Sequence, residues 1–199
     1  MATAISSTSL LAAQLTPFEI DQATVHLEQV FQSLVGAVKG VSEEQASYRP
    51  ASGAWSIAEN VTHIAMVQER VLSMVREHLP SAPPPPEGRN VELVDAIVIN
   101  YFTNRLSKFN APEFIQPCEL SPLPDALKRV EANNRQLLES LTSVPGLRQH
   151  AVEFPPLKAV TKGEHVFADG YQWILAASSH TERHVKQILE VKAAPGFPV

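Results

Sequence analysis

Apolar residues recur at helical spacing in four long stretches, and this repetition constrains the fold more than any other feature of the sequence. The spacing predicts helices over 16–38, 57–79, 122–141 and 168–194. Because each apolar stripe must be buried against another helix, a four-helix bundle is the natural arrangement. We therefore predict an all-α fold, with an extra helical segment over 90–108 after the second long helix.

Capping residues mark where two of these helices begin. Thr16 precedes Pro17, which is a favourable pair at the first turn of a helix. Ser56 is followed three residues later by Glu59, the spacing of a capping box. These signals place the predicted starts of the first and second helices at 16–17 and 56–57.

The connections between the helices are predicted to be irregular. A short helical turn is expected at 43–46, a stiff proline-rich linker at 81–88, and irregular chain at 110–120. No regular element is expected over 147–166, because Pro155 and Pro156 remove backbone donors there. Strand-like alternation is absent from the sequence at any useful length.

Length and composition indicate one ordinary globular domain. The chain has 199 residues, 44% of them hydrophobic and 19% charged, and we expect residues 1–15 to form a flexible tail ahead of a single domain over 16–194. The net charge of −5 and the lack of a basic block argue against nucleic-acid binding. No apolar run is long enough to cross a bilayer, so no membrane partner is expected.

The single cysteine, Cys118, excludes an intramolecular disulfide and favours a reducing, cytoplasmic location. Neither Pro117 nor Glu119 supplies the positive charge that would lower the pKa of its thiol. A loop or buried thiol is therefore a simpler interpretation than a nucleophile.

Two histidines one turn apart, His180 and His184, dominate the last helix. Four residues advance a helix by about 6 Å and about 40°, so both imidazoles lie on one face and can bind one metal ion. Glu182 lies roughly 200° around the helix from both, which makes it a solvated residue or a partner of Lys186. The familiar zinc motif with glutamate after the first histidine is absent, because Thr181 occupies that position.

A third ligand must come from another helix. His63 is the leading candidate because it lies in the middle of the capped second helix, and His26 in the first helix is the alternative. A single histidine on an apolar face is more often a hydrogen-bonded core residue than a ligand. The remaining histidines, at a predicted helix end or in predicted loops, are His78, His150 and His165.

Two segments resemble known signatures. WSIAENVTHIAMVQER (55–70) and DGYQWILAASSHTERHVKQI (169–188) are similar to the second-helix and last-helix signatures of the DinB/YfiT-like superfamily. The resemblance implies a DinB-like four-helix bundle of up-down-down-up type. It also implies a metal site formed by His63, His180 and His184, usually holding nickel or zinc, and often a homodimer. The proline-rich linker with its following helix and the segment 157–168 depart from the pattern.

Characterised members of this superfamily use bacillithiol, mycothiol or glutathione as a co-substrate. The resemblance therefore implies a metal-dependent thiol S-transferase or hydrolase, in which the ion activates a thiol or water. Asn60, Gln68 and Gln187 lie about one helical turn from a ligand and are candidates to orient it. Two alternatives stay open: a non-catalytic metal-binding or stress-related binding protein, and a metal-free bundle with hydrogen-bonded histidines. Trp55, Tyr171 and Trp173 are predicted to be packing anchors.

Overall fold

The computed structural model describes residues 14–104, 115–117 and 121–199, and these are mostly helical. The α-helices are α1 (Pro17–Val38), α2 (Glu43–Ser47), α3 (Ile57–Ser73), α4 (Val91–Thr103), α5 (Leu123–Ser143), α6 (Pro155–Val160) and α7 (Gly170–Lys192). Two short strands, β1 (Ala151–Glu153) and β2 (Phe167–Asp169), accompany the α-helices. Cys118, most of the tail predicted over 1–15 and most of the irregular chain predicted over 110–120 lie outside the described residues.

The predicted helix starts are confirmed in atomic detail. The Thr16 hydroxyl accepts a hydrogen bond from the Glu19 backbone N–H at 3.2 Å, and the Ser56 hydroxyl accepts one from Glu59 at the same distance. In each case the glutamate carboxylate also accepts from the backbone N–H of the capping residue. These reciprocal bonds satisfy donors that a helix start would otherwise leave unpaired.

The second long helix changes its winding before it ends. After α3 the chain continues as a π-helical turn over Met74–His78 and a 3₁₀ turn over Leu79–Ser81. Pro80 has no backbone N–H to continue the α-helical ladder, which agrees with the predicted end near residue 79. The extra helix α4 ends at Thr103, and residues 105–108 of the predicted segment lie outside the described ranges.

The prediction that 147–166 holds no regular element is wrong. Pro155 and Pro156 begin α6, where a missing N–H costs nothing because the first turn has no internal acceptor for it. Ahead of α6, β1 pairs antiparallel with β2, with Ala151 opposite Asp169. Three-residue strands are too short to produce a readable alternation, so the all-α prediction missed this small sheet.

The four long helices contact one another in a ring, in which α1 and α3 each pack against both α5 and α7. The extra helix α4 packs along α7 on another side. The up-down-down-up order of directions stays a prediction. None of the helices in the described ranges is both long and apolar enough to cross a lipid bilayer.

A layer of buried polar side chains divides the core into two apolar clusters. Along α7, the apolar residues up to Ala177 belong to one cluster, and those from Val185 onward belong to the other. Between them, buried Ser178, Ser179 and Thr181 accompany the two histidines predicted as ligands. On α3 the same layer contains Gln68, whose amide donates to the Thr181 hydroxyl at 3.3 Å. Burying polar groups is costly unless they are paired, so this layer requires a specific explanation.

Candidate metal centre

The structure brings His63 from α3 together with His180 and His184 from α7. The Nε2 atom of His180 lies 3.2 Å from Nε2 of His63 and 3.1 Å from Nε2 of His184. One ring nitrogen of each residue lies within 4.8 Å of the others. These separations are close to the roughly 3.3–3.4 Å between ligand atoms of a tetrahedral zinc ion with bonds of about 2.0–2.1 Å.

A backbone carbonyl orients His63. Its Nδ1 lies 2.7 Å from the Ile115 carbonyl oxygen, which can only accept a hydrogen bond. In the neutral ring, Nδ1 therefore carries the proton and Nε2 presents its lone pair to the other histidines. No pattern in the sequence indicates this contact, because Ile115 lies in the connection between α4 and α5 and contributes a backbone group.

A buried amide orients His184. Asn60, which is fully buried, places its Oδ1 atom 2.8 Å from Nδ1 of His184. The Asn60 Nδ2 atom donates to the Ser56 carbonyl at 2.8 Å, so the amide oxygen is the atom left to face the ring. His184 therefore donates from Nδ1, and its Nε2 lone pair also points into the cluster.

Three neutral imidazoles cannot satisfy all of their nitrogens by hydrogen bonding to one another. His63 and His184 both present lone pairs to His180. If His180 carries its proton on Nε2, its buried Nδ1 lone pair has no partner among the described residues; if the proton is on Nδ1, three lone pairs face one another. A divalent cation would accept all three lone pairs, so the donor set fits such an ion.

Burial disfavours the charged forms of His63 and His180, and the neutral form is the one that a metal ligand needs. Burial lowers the pKa of His63, and the Ile115 carbonyl partly offsets that effect. The pKa of His180 lies well below its ordinary value, first because of burial and then because of positive charge at His63 and Arg183. Protonation would therefore oppose metal binding only below the usual range of histidine.

Aromatic rings cover the cluster. The Trp55 ring stacks on His184 with centroids 5.9 Å apart and also packs against His63 at 4.7 Å. On another side, Phe102 from α4 meets His180 edge-on at 6.0 Å. Trp55 is thus a packing anchor, as predicted, but what it packs against is the cluster itself. An ion held there would lie in surroundings of low polarity, where charge interactions are strengthened.

The alternative ligand, His26, lies elsewhere. Its Nδ1 atom is 3.0 Å from the Ser178 hydroxyl, and its Nε2 atom is 3.3 Å from the Glu182 carboxylate. Glu182 also pairs with Lys186 at 2.7 Å, as the helix geometry predicts. His26, Glu182 and Lys186 border a surface groove of about 560 Å³ between α1 and α7, and the three clustered histidines do not line it. Converging donor atoms, rather than the groove, mark the candidate site.

The remaining residues singled out in the sequence differ in whether they contact the histidine cluster. Of the three residues predicted to orient a ligand, Asn60 contacts a histidine, whereas Gln68 contacts Thr181 and Gln187 is half-buried on α7. His150 directs Nδ1 at the carbonyl of Ala82, away from the cluster. No carboxylate belongs to the histidine group in the part of the chain that the structure describes.

Comparison with known proteins agrees with the fold and the cluster. The model of the DinB superfamily matches residues 26–188. A Bacillus subtilis (strain 168) protein called uncharacterized protein YuaE is 22% identical over 157 residues, which cover 78% of this chain and 88% of that protein. No solved structure gives a significant match. Because the family match spans most of the chain and includes all three clustered histidines, the protein belongs to the DinB superfamily.

Proposed function

We propose that this protein is a metal-dependent thiol S-transferase. It would bind one divalent metal ion, nickel or zinc, through His63, His180 and His184. The observation that carries the proposal is the convergence of three imidazoles, in which Nε2 of His63 and Nε2 of His184 lie 3.2 Å and 3.1 Å from Nε2 of His180. Nitrogen ligands favour nickel, copper or zinc over magnesium or calcium.

Thiol transfer fits the site better than hydrolysis. A bound divalent ion lowers the pKa of a thiol or water and holds the resulting anion as a nucleophile. A thiol starts from a pKa of about 8.5, far below the pKa of water, so its deprotonation needs much less help from the ion. The described residues place no carboxylate at the cluster to act as a general base, since Glu182 is paired with His26 and Lys186.

The protein's own residues would hold and orient the ligands. Ile115 and Asn60 keep the protons of His63 and His184 on Nδ1, away from the centre. Trp55 and Phe102 exclude water on two sides of the cluster. These groups fix the geometry before a substrate arrives, which is the main contribution a protein makes to such a site.

The test is turnover by metal-loaded protein. Zinc- or nickel-loaded protein is mixed with 1-chloro-2,4-dinitrobenzene and, in separate assays, glutathione, bacillithiol or mycothiol; thioether formation is followed by absorbance. We expect at least one thiol to be consumed faster than in the uncatalysed reaction, and the His63→Ala variant to lose this activity. The His26→Ala variant serves as the matched control and should retain it. Equal rates for wild type and His63→Ala would exclude catalysis at this centre.

A non-catalytic metal-binding or stress-related binding protein is the second candidate. The same absence of a carboxylate at the cluster, within the described ranges, favours it, because a site that only holds metal needs no proton acceptor. Metal binding without turnover of any thiol in the panel would support this alternative. Equal metal content in wild type and in the His180→Ala and His184→Ala variants would instead favour a bundle with no metal site.

The proposal extends to the directions of the helices, the oligomeric state, the location of the protein and its thiol partner. We propose a four-helix bundle with up-down-down-up directions, a homodimer, and a cytoplasmic location with a low-molecular-weight thiol as partner. The family assignment and the ring of contacts among the four long helices support the bundle. Sedimentation at two protein concentrations tests the dimer, which predicts a single species of about twice the 21.8 kDa chain mass.

A further inference from the structure

Asn60 occupies a position that helix formation alone does not favour. Asparagine is a poorer helix former than alanine, and burying its amide is costly unless both ends are paired. Asn60 nevertheless lies inside α3, fully buried, one turn after the capping residue Ser56. The contacts of its side chain must therefore offset both the lower helix propensity and the cost of burying the amide.

The two ends of the Asn60 amide have different partners. Nδ2 donates to the Ser56 carbonyl at 2.8 Å, which is a bond within the same helix. Oδ1 faces Nδ1 of His184 at 2.8 Å on the neighbouring helix α7. Because a carbonyl accepts and never donates, the first bond fixes which end of the amide meets the imidazole. A flipped amide would place Oδ1 against the Ser56 carbonyl, so that two acceptors faced each other, and would turn Nδ2 toward the His184 ring.

We propose that Asn60 is a positioning residue that selects the Nδ1–H tautomer of His184 and so aims the Nε2 lone pair at the metal centre. The proposal rests on the proposed metal site, and it assigns a role to Asn60 that is separate from the chemistry of the ion. His63 obtains the same tautomer from the Ile115 carbonyl, a backbone group that substitution does not remove. Asn60 is therefore the side chain through which ligand orientation can be tested.

Three variants separate orientation from packing. Asn60→Leu keeps the approximate side-chain volume and removes the acceptor, whereas Asn60→Asp keeps an acceptor facing His184. Asn133→Leu is the matched control, because Asn133 is also buried in a helix and its amide donates to the Ala65 carbonyl at 3.1 Å. Asn133→Leu therefore measures the cost of losing a buried amide hydrogen bond at a residue for which the structure gives no histidine contact.

The first readout uses ¹⁵N-labelled, metal-free protein and two-bond nitrogen–proton correlation spectra of the imidazoles. We expect the Nδ1–H form of His184 in wild type, in Asn60→Asp and in Asn133→Leu, and a shift toward the Nε2–H form in Asn60→Leu. The second readout is zinc affinity, measured by competition with a chromophoric chelator. Asn60→Leu should bind zinc about 10–100-fold more weakly, while Asn60→Asp binds at least as tightly as wild type.

Several results would overturn the proposal. Wild-type His184 protonated on Nε2, or an Asn60→Leu spectrum that matches wild type, would show that the amide does not select the tautomer. Equal losses of zinc affinity in Asn60→Leu and Asn60→Asp would reduce its role to packing. If wild type binds no zinc, the proposed function fails, but the tautomer spectra still decide the role of Asn60. If Asn60→Leu does not fold, the wild-type and Asn60→Asp spectra decide it.

Discussion

Helix α7 carries two buried polar clusters that differ in how completely their atoms are paired. At its start, Asp169 joins a cluster of charged side chains; eleven residues later, about 16 Å along the axis, His180 begins the neutral cluster of imidazoles. The charged groups of the first cluster are joined by ion pairs, including one between Arg89 and Asp169, and the one buried polar atom of these two residues that lacks a partner is the Arg89 Nε. The second leaves at least one imidazole nitrogen lone pair without a donor, whichever nitrogen of His180 carries the proton. Incomplete pairing of this kind is what a ligand site looks like when only the protein atoms are considered.

Arg148 is the centre of the charged cluster. Its guanidinium pairs with Glu19 at 2.6 Å, Asp95 at 2.7 Å and Asp169 at 3.0 Å. It also lies over the Tyr171 ring, 4.2 Å from the centroid. These carboxylates come from α1, α4 and the cap of α7, so one side chain ties three helices together. Burial raises the pKa of Asp169, and the positive charge of Arg148 opposes that shift.

The difference between the clusters distinguishes polar groups that stabilise the fold from polar groups that are available to bind a ligand. Buried charges that are mutually paired hold elements in register, and removing one of them leaves the others uncompensated. Neutral imidazoles with converging lone pairs contribute little to holding helices together unless a cation joins them. We therefore expect substitutions in the charged cluster to change stability, and substitutions in the histidine cluster to change metal affinity.

The largest effect is expected at Arg148. Arg148→Leu removes the common partner of three carboxylates, and we expect the free energy of unfolding of metal-free protein to fall by about 3–5 kcal/mol. Denaturant unfolding measures this change. Arg135→Leu is the control, because Arg135 is 68% exposed and lies 4.0 Å from Glu131, so its loss should cost less than about 1 kcal/mol. Similar losses in both variants would contradict a structural role for the charged cluster.

Metal affinity should respond next most strongly, at His63. His63→Ala removes one of the three proposed ligands, and we expect zinc affinity to fall by more than about 100-fold, beyond what loss of an orienting partner causes. His26→Ala removes a histidine that is hydrogen-bonded outside the cluster and should leave zinc affinity unchanged. Chelator competition gives both values. If the two variants weaken binding equally, the cluster and His26 are not distinct.

Metal-free protein should lose stability as the pH falls below about 6.5, the usual pKa of histidine. Burial lowers the pKa of His63 and His180 in the folded state, so the unfolded chain takes up protons first, and stability declines until the pH passes the lowered values. Each such histidine contributes at most about 1.4 kcal/mol per pH unit. Unfolding curves between pH 7.5 and 5 should show a shallower decline for His180→Ala than for wild type. Parallel declines would mean that His180 titrates normally.

The smallest effect is expected at Lys186, whose side chain is 46% exposed. Its pair with Glu182 is a solvent-facing contact one turn along α7, so Lys186→Ala should cost only about 0.3–0.5 kcal/mol. Zinc affinity should not change. A loss of zinc affinity in this variant would show that the Glu182–Lys186 pair influences the histidine cluster, and would contradict the independence of the two.

Local rules of helix formation account for how much of this fold could be predicted. The helix starts at Thr16 and at Ser56 with Glu59 could be predicted, because capping depends only on neighbouring residues. The pairing of Glu182 with Lys186 was also predictable, since it follows from helix geometry alone. The strand pair Ala151–Glu153 and Phe167–Asp169 was missed, because three residues are too few for a periodic signal.

The candidate site was predictable only in part. His180 and His184 share a helix face by spacing, but spacing cannot bring His63 to them across 117 positions. Its place in the middle of a capped helix made His63 the leading candidate over His26, and the family resemblance implied the same residue. The Ile115 carbonyl carries no side-chain signal, since every residue has such a group. The charged cluster around Arg148 was not anticipated, because its partners are far apart in the sequence and ordinary in type.

X-ray absorption at the zinc edge of protein loaded with one equivalent of zinc tests most directly whether three imidazoles converge on one ion. We expect a first shell with three imidazole nitrogens at about 2.0–2.1 Å, and the multiple-scattering pattern of histidine rings. A shell with fewer than three imidazoles, or dominated by oxygen ligands, would contradict the site formed by His63, His180 and His184.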